Sequence, residues 1–213
     1  MLKINEIFFS IQGESTYSGL PTVFVRTSGC HLRCHYCDTT YAYHEGHRVS
    51  VEDIIAKVEQ YPTKYVCLTG GEPLLQKRIY ELIDGLLEKD FILSMETSGD
   101  INCADVDPRV KKIIDVKTPD SGAADKFHEN NLKFKDDGHT EYKFVICSER
   151  DLEWAFEFVK RHDLAKKNPV LFSPSHGKIA PEWLAQKILS NNAKVRLQLQ
   201  LHKYIWSEHK RGV

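Results

Sequence analysis

The chain has 213 residues, 41% of them apolar and 28% charged, a length and balance that suit one compact domain spanning residues 1–213. A formal net charge of −1 leaves no basic field of the kind that draws a protein to nucleic acid. The first six residues, Met1 to Glu6, lack a basic stretch leading into an apolar one, and no apolar run approaches the ~20 residues that cross a bilayer. The expectation is a cytoplasmic protein with neither a membrane nor a nucleic-acid partner.

In chain order, β-branched and aromatic runs predict strands at Ile4–Ile11 and Thr22–Thr27. Ser50-Val51-Glu52-Asp53 opens a helix in the manner of a capping box, continued by apolar residues at 51, 54, 55 and 58. A strand at Tyr65–Leu68 precedes Pro73 and a helix marked by Ile79, Leu82, Ile83, Leu86 and Leu87. Strands follow at Phe91–Met95, Ile113–Val116 and Tyr142–Cys147. Ser148 begins a third helix, with Leu152, Ala155, Phe156 and Val159 on one face. After a strand at Val170–Phe172, Pro181 opens a fourth helix through Trp183, Leu184 and Ile188, and Val195–Leu199 is the last predicted strand.

Strands alternating with helices imply right-handed crossovers and a parallel sheet. The alternation is broken at 98–112 and 118–140, which are rich in Asp, Gly, Asn and Lys and lack a helical period; they read as loops or short helical turns. The predicted fold is therefore α/β: a partial, modified (β/α) barrel with reduced helical cover, its chemistry at the C-terminal strand ends.

The six cysteines are unevenly spread. Cys67 and Cys147 lie in apolar stretches and read as small hydrophobes, and Cys103 lies in a polar loop. Cys30, Cys34 and Cys37 sit on one short segment after the second strand, in a CxxxCxxC spacing. Three thiolates so placed can bind three irons of a cubane cluster, leaving the fourth open to a small molecule. The alternative is zinc completed by His31 or His35, but zinc usually draws on two separated ligand pairs, and no second CxxC or HxxxH occurs.

Thr69-Gly70-Gly71-Glu72-Pro73 follows the strand at 65–68. The glycines let backbone approach a ligand closely, and Glu72 can accept bonds from an ammonium group; alone, such a segment is more often a plain strand-to-helix turn. Together with the cysteines it resembles the radical S-adenosylmethionine (SAM) superfamily. Further motifs narrow the likeness: Gln12-Gly13-Glu14 after Ile11, Arg26, Asp38-Thr39 after the third cysteine, Glu96-Thr97-Ser98-Gly99, Asp115-Val116-Lys117-Thr118-Pro119, Ser173-Pro174 and Gln200-Leu201-His202-Lys203. This ordered series resembles the 7-carboxy-7-deazaguanine synthase family over essentially the whole chain, although Ser15 stands where many members carry glycine.

The resemblance implies a [4Fe–4S] cluster on Cys30, Cys34 and Cys37, SAM on its open iron, and Mg2+ with Thr39 as its protein ligand. It implies cofactor contacts from Tyr36, Asp38, Gly71, Glu72, Ser98, Lys117 and Ser173. The substrate would be 6-carboxy-5,6,7,8-tetrahydropterin, bound by Gln12, Gly13, Glu14, Arg26, Thr69, His202 and the terminal Val213. A carboxylate at Glu14 suits the guanidine-like edge of a pterin, and Arg26 suits its carboxylate. Read alone, Glu14 is a loop glutamate, Arg26 and Lys117 surface charges, Thr39 and Ser173 turn residues, His202 a packed histidine and Val213 part of a frayed tail. The product would be 7-carboxy-7-deazaguanine, formed with loss of ammonia and regeneration of SAM, for deazapurines such as queuosine. A homodimer and a flavodoxin-type electron donor complete the expectation. Competing readings are a small activase that makes a glycyl radical on a partner, and a non-catalytic zinc or iron–sulfur module.

Overall fold

A computed structural model describes every residue except Glu208 and His209. Two strands, β1 (Leu2–Ile11) and β2 (Pro21–Thr27), form an antiparallel pair. A short β3 (His47–Val49) pairs antiparallel with the start of β1. Then come α1 (Val51–Val58), β4 (Tyr65–Gly70), α2 (Ile79–Leu87), β5 (Ile92–Thr97), β6 (Lys111–Asp115) and β7 (Glu141–Ile146). The chain continues with α3 (Glu149–Arg161), β8 (Val170–Pro174), α4 (Pro181–Ser190), β9 (Arg196–Leu197) and a single turn, α5 (His202–Ile205).

The strands make one open sheet in the order β3-β1-β2-β4-β5-β6-β7-β8-β9, and every neighbouring pair from β2 to β9 is parallel. This is the expected partial barrel. Helices α1 to α4 cover one face, where Val25, Leu68, Met95, Ile114, Phe144 and Phe172 join Ile54, Leu82, Leu152 and Leu184 in the main core. Because side chains alternate along a strand, the residues between them face the other way. Arg26, Thr69, Glu96, Ile113, Asp115, Lys143 and Val145 all line the uncovered concave side.

The predicted helix openings are realised. Ser50 Oγ accepts from the Asp53 amide at 3.0 Å, and Ser148 Oγ accepts from the Asp151 amide at 3.2 Å. The expectation of thin cover also holds: β6 and β7 are joined through short 3₁₀ turns at Pro119–Ser121, Ala124–Lys126 and Glu129–Phe134. Buried Asn131 substitutes for helix packing there. Its Nδ2 donates to the Gly99 and Ile101 carbonyls at 3.0 Å each, and its Oδ1 accepts from the Cys103 amide at 2.9 Å.

Three details differ from expectation. The last strand shrinks from 195–199 to two exposed residues, because little lies beyond it to pair with. The short β3 and α5 carry too few residues for a hydrophobic period and exist through tertiary pairing. Among the described residues, no helix is long and apolar enough to cross a membrane.

Candidate active site

One cavity of about 530 Å³ opens on the concave side. Its lining brings together most of the residues singled out in the sequence: Gln12, Gly13, Glu14, Arg26, Cys30, Cys34, Tyr36, Cys37, Asp38, Thr39, Thr69, Gly71, Ser98, Lys117, His202 and Val213. They come from eight separate segments, so the convergence is a product of the fold.

The three cysteines are half-buried and unpaired. Burial pushes the Cys30 and Cys34 thiols up. Among the described residues no three His, Cys, Asp or Glu side chains converge as the ligands of one ion do. Thiols of a cubane need not, since each binds a different iron. The cysteine loop is fastened on several sides. Arg33 Nη1 donates to the Cys30 carbonyl at 2.7 Å and its guanidinium lies 4.2 Å from the Tyr43 ring centre. The His35 amide donates to the Ser121 carbonyl at 3.0 Å, and His31 meets Asp100.

Gly70 and Gly71 do more than admit a ligand. The Gly71 amide donates to the Thr27 carbonyl at 3.1 Å and the Glu72 amide to the Gly29 carbonyl at 2.9 Å. The pair thus docks the end of β4 onto the root of the cysteine loop, with Gly70 at φ +145°.

Two of the expected cofactor contacts lie outside the cavity lining. Glu72 is fully buried and absent from the lining; its carboxylate accepts from the Leu74 amide (3.0 Å), the Thr97 hydroxyl (3.0 Å) and the Ser98 amide and hydroxyl (2.7 and 2.5 Å). It caps the turn at Pro73–Leu75 and positions Ser98, rather than facing the cavity. Ser173 is also fully buried and outside the lining, whereas Ser175, two residues nearer the strand end, is within it.

The wall beside the cysteines suits a polar cofactor. Lys117 Nζ donates to Asp115 Oδ2 at 2.8 Å and sits 5.3 Å from the Tyr36 ring centre. Burial, the largest single influence, would lower the Lys117 ammonium, but Asp115, Tyr36 and Cys34 together outweigh it and raise the group. Asp115 Oδ1 is buried with no hydrogen-bond partner, an acceptor aimed at nothing in the chain. Unpaired thiols and an orphaned buried acceptor on one cavity wall fit a cluster with a small molecule bound beside it. At the rim, Thr39 Oγ1 donates to Asp38 Oδ1 at 2.9 Å, and Asp38 Oδ2 pairs with Lys203 at 2.9 Å.

Glu14 forms an ion pair with Lys143, and Gln200 Nε2 donates to Glu14 Oε1 at 2.9 Å. Burial would raise the Glu14 carboxyl, yet Lys143 and then His202 outweigh it and hold the group below its ordinary value. Thr69 donates to Glu96 at 2.9 Å, and burial, then Glu14, push the Glu96 carboxyl up. Arg26 Nε donates to Glu6 at 2.8 Å. The α5 turn closes this side through the Leu201 amide, which donates to the Gly13 carbonyl at 3.0 Å. Lys143, Glu96, Gln200 and Lys203 were not singled out as site residues. Lys143 had a visible signal, a charge at an alternate position of an otherwise apolar strand.

Residues 24–121 match the Radical SAM superfamily. The chain is 41% identical to the 7-carboxy-7-deazaguanine synthase of Chlorobaculum tepidum, with 100% of this chain and 97% of the relative covered. It is 40% identical to the enzyme of that name from Koribacter versatilis, with both covered in full. Among solved structures, QueE from Escherichia coli superposes with a TM-score of 0.77 at 23% identity, over 93% of each chain. SuiB from Streptococcus suis superposes at 0.57 and 15% identity, over 81% of this chain and 47% of that one. With cysteines, glycine turn and concave wall drawn into one cavity, the chain belongs to the 7-carboxy-7-deazaguanine synthase family of radical SAM enzymes.

Proposed function

We propose that this chain converts 6-carboxy-5,6,7,8-tetrahydropterin into 7-carboxy-7-deazaguanine with loss of ammonia, supplying cytoplasmic deazapurine synthesis. The observation that carries this reading is a single cavity with three thiols on one side and a buried Glu14–Lys143 pair, Glu96 and Arg26 on the other. Cys30, Cys34 and Cys37 would hold the cluster; when bound, it and SAM supply a radical able to abstract hydrogen from carbon. Every other task falls to the chain.

Tyr36, Asp38, Gly71, Ser98 and Lys117 line the cofactor side, with Asp115 as an added acceptor. Gln12, Gly13, Glu14, Thr69 and His202 surround the space for the pterin ring, and Val213 stands at its edge. A carboxylate held ionised at Glu14 accepts N–H bonds from the guanidine-like edge. With Nε engaged by Glu6, the terminal nitrogens of Arg26 serve as the fork for the substrate carboxylate. Thr39 offers a hard oxygen to Mg2+, which keeps most of its waters and takes few ligands from protein. A homodimer and a flavodoxin-type donor belong to the same reading.

The test is turnover. Anaerobically reconstituted, reduced protein is given SAM and 6-carboxy-5,6,7,8-tetrahydropterin with and without Mg2+. The expected result is 7-carboxy-7-deazaguanine, more with Mg2+, and no net loss of SAM. Accumulation of 5′-deoxyadenosine without that product would overturn the reading and favour a different radical reaction.

A further inference from the structure

We propose that Lys143 is a positioning residue for substrate capture, its ammonium fixing the direction and charge of the Glu14 carboxylate that receives the donor edge of the pterin. The inference rests on the proposed reaction for the identity of the ligand. Its basis is geometric. Lys143 lies on β7 with its backbone locked between Asp115 of β6 and Leu171 of β8. Its side chain points to the concave side, where it pairs with Glu14 of the β1–β2 loop; the two side chains are only 12% and 11% exposed. The partner oxygen is Glu14 Oε2, while Oε1 is held by Gln200, so both oxygens are oriented before any ligand arrives. A carboxylate has about four acceptor sites, so the hydrogen bond from Gln200 and the ion pair with Lys143 still leave capacity for two N–H groups.

The charges around this pair decide what Lys143 contributes. Glu14 faces Lys143 from β7, His202 from α5 and Glu96 from β5; Glu96 is in turn flanked by Arg26 of β2, and Lys143 also faces Asp115 of β6. Without Lys143, the buried Glu14 and half-buried Glu96 carboxylates would share the wall with only Arg26, already bonded to Glu6, to compensate them. Burial and the Glu96 charge would then favour a protonated Glu14, which loses acceptor sites and turns one oxygen into a donor. His202 cannot replace the lost cation near neutral pH, because burial lowers it from its ordinary value of 6.5.

The test uses 6-carboxypterin, the stable fluorescent oxidised analogue, and unsubstituted pterin as binding probes on the reconstituted protein with SAM. Lys143→Met keeps the aliphatic stem at similar volume, and Lys143→Arg restores the charge. In the parent protein, affinity should be nearly flat between about pH 6 and pH 7.5, because Glu14 stays ionised throughout. In Lys143→Met both probes should bind about tenfold weaker or worse, with the loss growing as pH falls, since protons then compete for Glu14. Lys143→Arg should recover most of the affinity and the flat profile. Iron content and SAM affinity should not change.

Three results would overturn the proposal: Lys143→Met affinity within about twofold of the parent with the same flat profile, a pH-independent loss that Lys143→Arg does not repair, or a loss confined to 6-carboxypterin, which would put Lys143 on the substrate carboxylate. Failure of the parent to bind either probe would overturn it as well. A parent protein that binds both probes with this pH behaviour but forms no deazaguanine would leave Lys143 in its role and sink only the assigned reaction.

Discussion

Gly71 approaches Gly29 so closely that a β-carbon on Gly71 would lie 2.1 Å from the Gly29 carbonyl oxygen. The contact joins the glycine turn to the first residues of the cysteine loop, so the two motifs that announce a radical SAM enzyme are one packed unit. Gly71→Ala must push them apart. It should cost about 1–3 kcal/mol of stability, as overpacking does. It should also lower iron and sulfide per chain after anaerobic reconstitution. Thermal unfolding and metal analysis check both, and full cluster content in a folded Gly71→Ala protein would refute the docking role.

How far the site could be read from sequence depends on what fixed each residue. The cysteines and the glycine turn were legible because their spacing is local and their chemistry narrow. The openings of α1 and α3 were legible for the same reason, since a serine cap acts within one turn. Side-chain direction was not. Glu72 matches the motif in type, yet its carboxylate is claimed by buried bonds from Thr97 and Ser98. Lys143 and Gln200 lie far from Glu14 in sequence and meet it only once β7 and the segment before α5 are in place. The absent helices of the β5–β6 and β6–β7 crossovers were legible as composition, but their replacement by Asn131 was not, since a single asparagine bridging two loops leaves no pattern.

Glu72 makes a prediction with a pH signature. Its carboxylate receives four hydrogen bonds, so Glu72→Gln puts an NH2 group against N–H and O–H donors. The expected loss is about 1–3 kcal/mol of stability, with weaker SAM binding as Ser98 shifts. Burial is the largest influence on Glu72 and raises its carboxyl above the ordinary 4.5. The folded chain therefore holds this proton more tightly than the unfolded chain, and the contribution to stability falls as pH rises from 4.5 through the raised value. Glu72→Gln removes that slope. In urea unfolding, the gap between parent and variant should narrow as pH increases across this window, and a gap that widens would contradict the burial argument.

Ser15 adopts φ +64° in the left-handed region, which glycine enters without strain. Its hydroxyl accepts from the Tyr17 amide at 3.1 Å, which offsets part of the backbone strain. Ser15→Ala keeps the strain and loses the bond, and should cost about 1 kcal/mol. Ser15→Gly loses the same bond but relieves the strain, so it should stay near the parent despite the added freedom of the unfolded chain. The check is the order of melting temperatures, with glycine above alanine. The reverse order would mean that the turn around Ser15 is held by contacts other than this backbone angle.

Gly13 tests how the α5 turn completes the substrate side. A β-carbon on Gly13 would lie 2.4 Å from His202 Nδ1 and 3.1 Å from the His202 amide nitrogen. Gly13→Ala must therefore displace His202 and strain the bond from the Leu201 amide to the Gly13 carbonyl. Because α5 is one turn with no buried residue, the displacement should cost little stability. The loss should appear in function: kcat/KM for the pterin falling about tenfold or more, while cluster content and melting temperature change little. His202→Ala alone removes the same side chain from the cavity. If the clash with His202 is the cause, the double variant should be no worse than His202→Ala, a clear departure from additivity expected of residues in contact. Additive losses would instead show that Gly13 acts on the substrate through its own backbone, independently of α5.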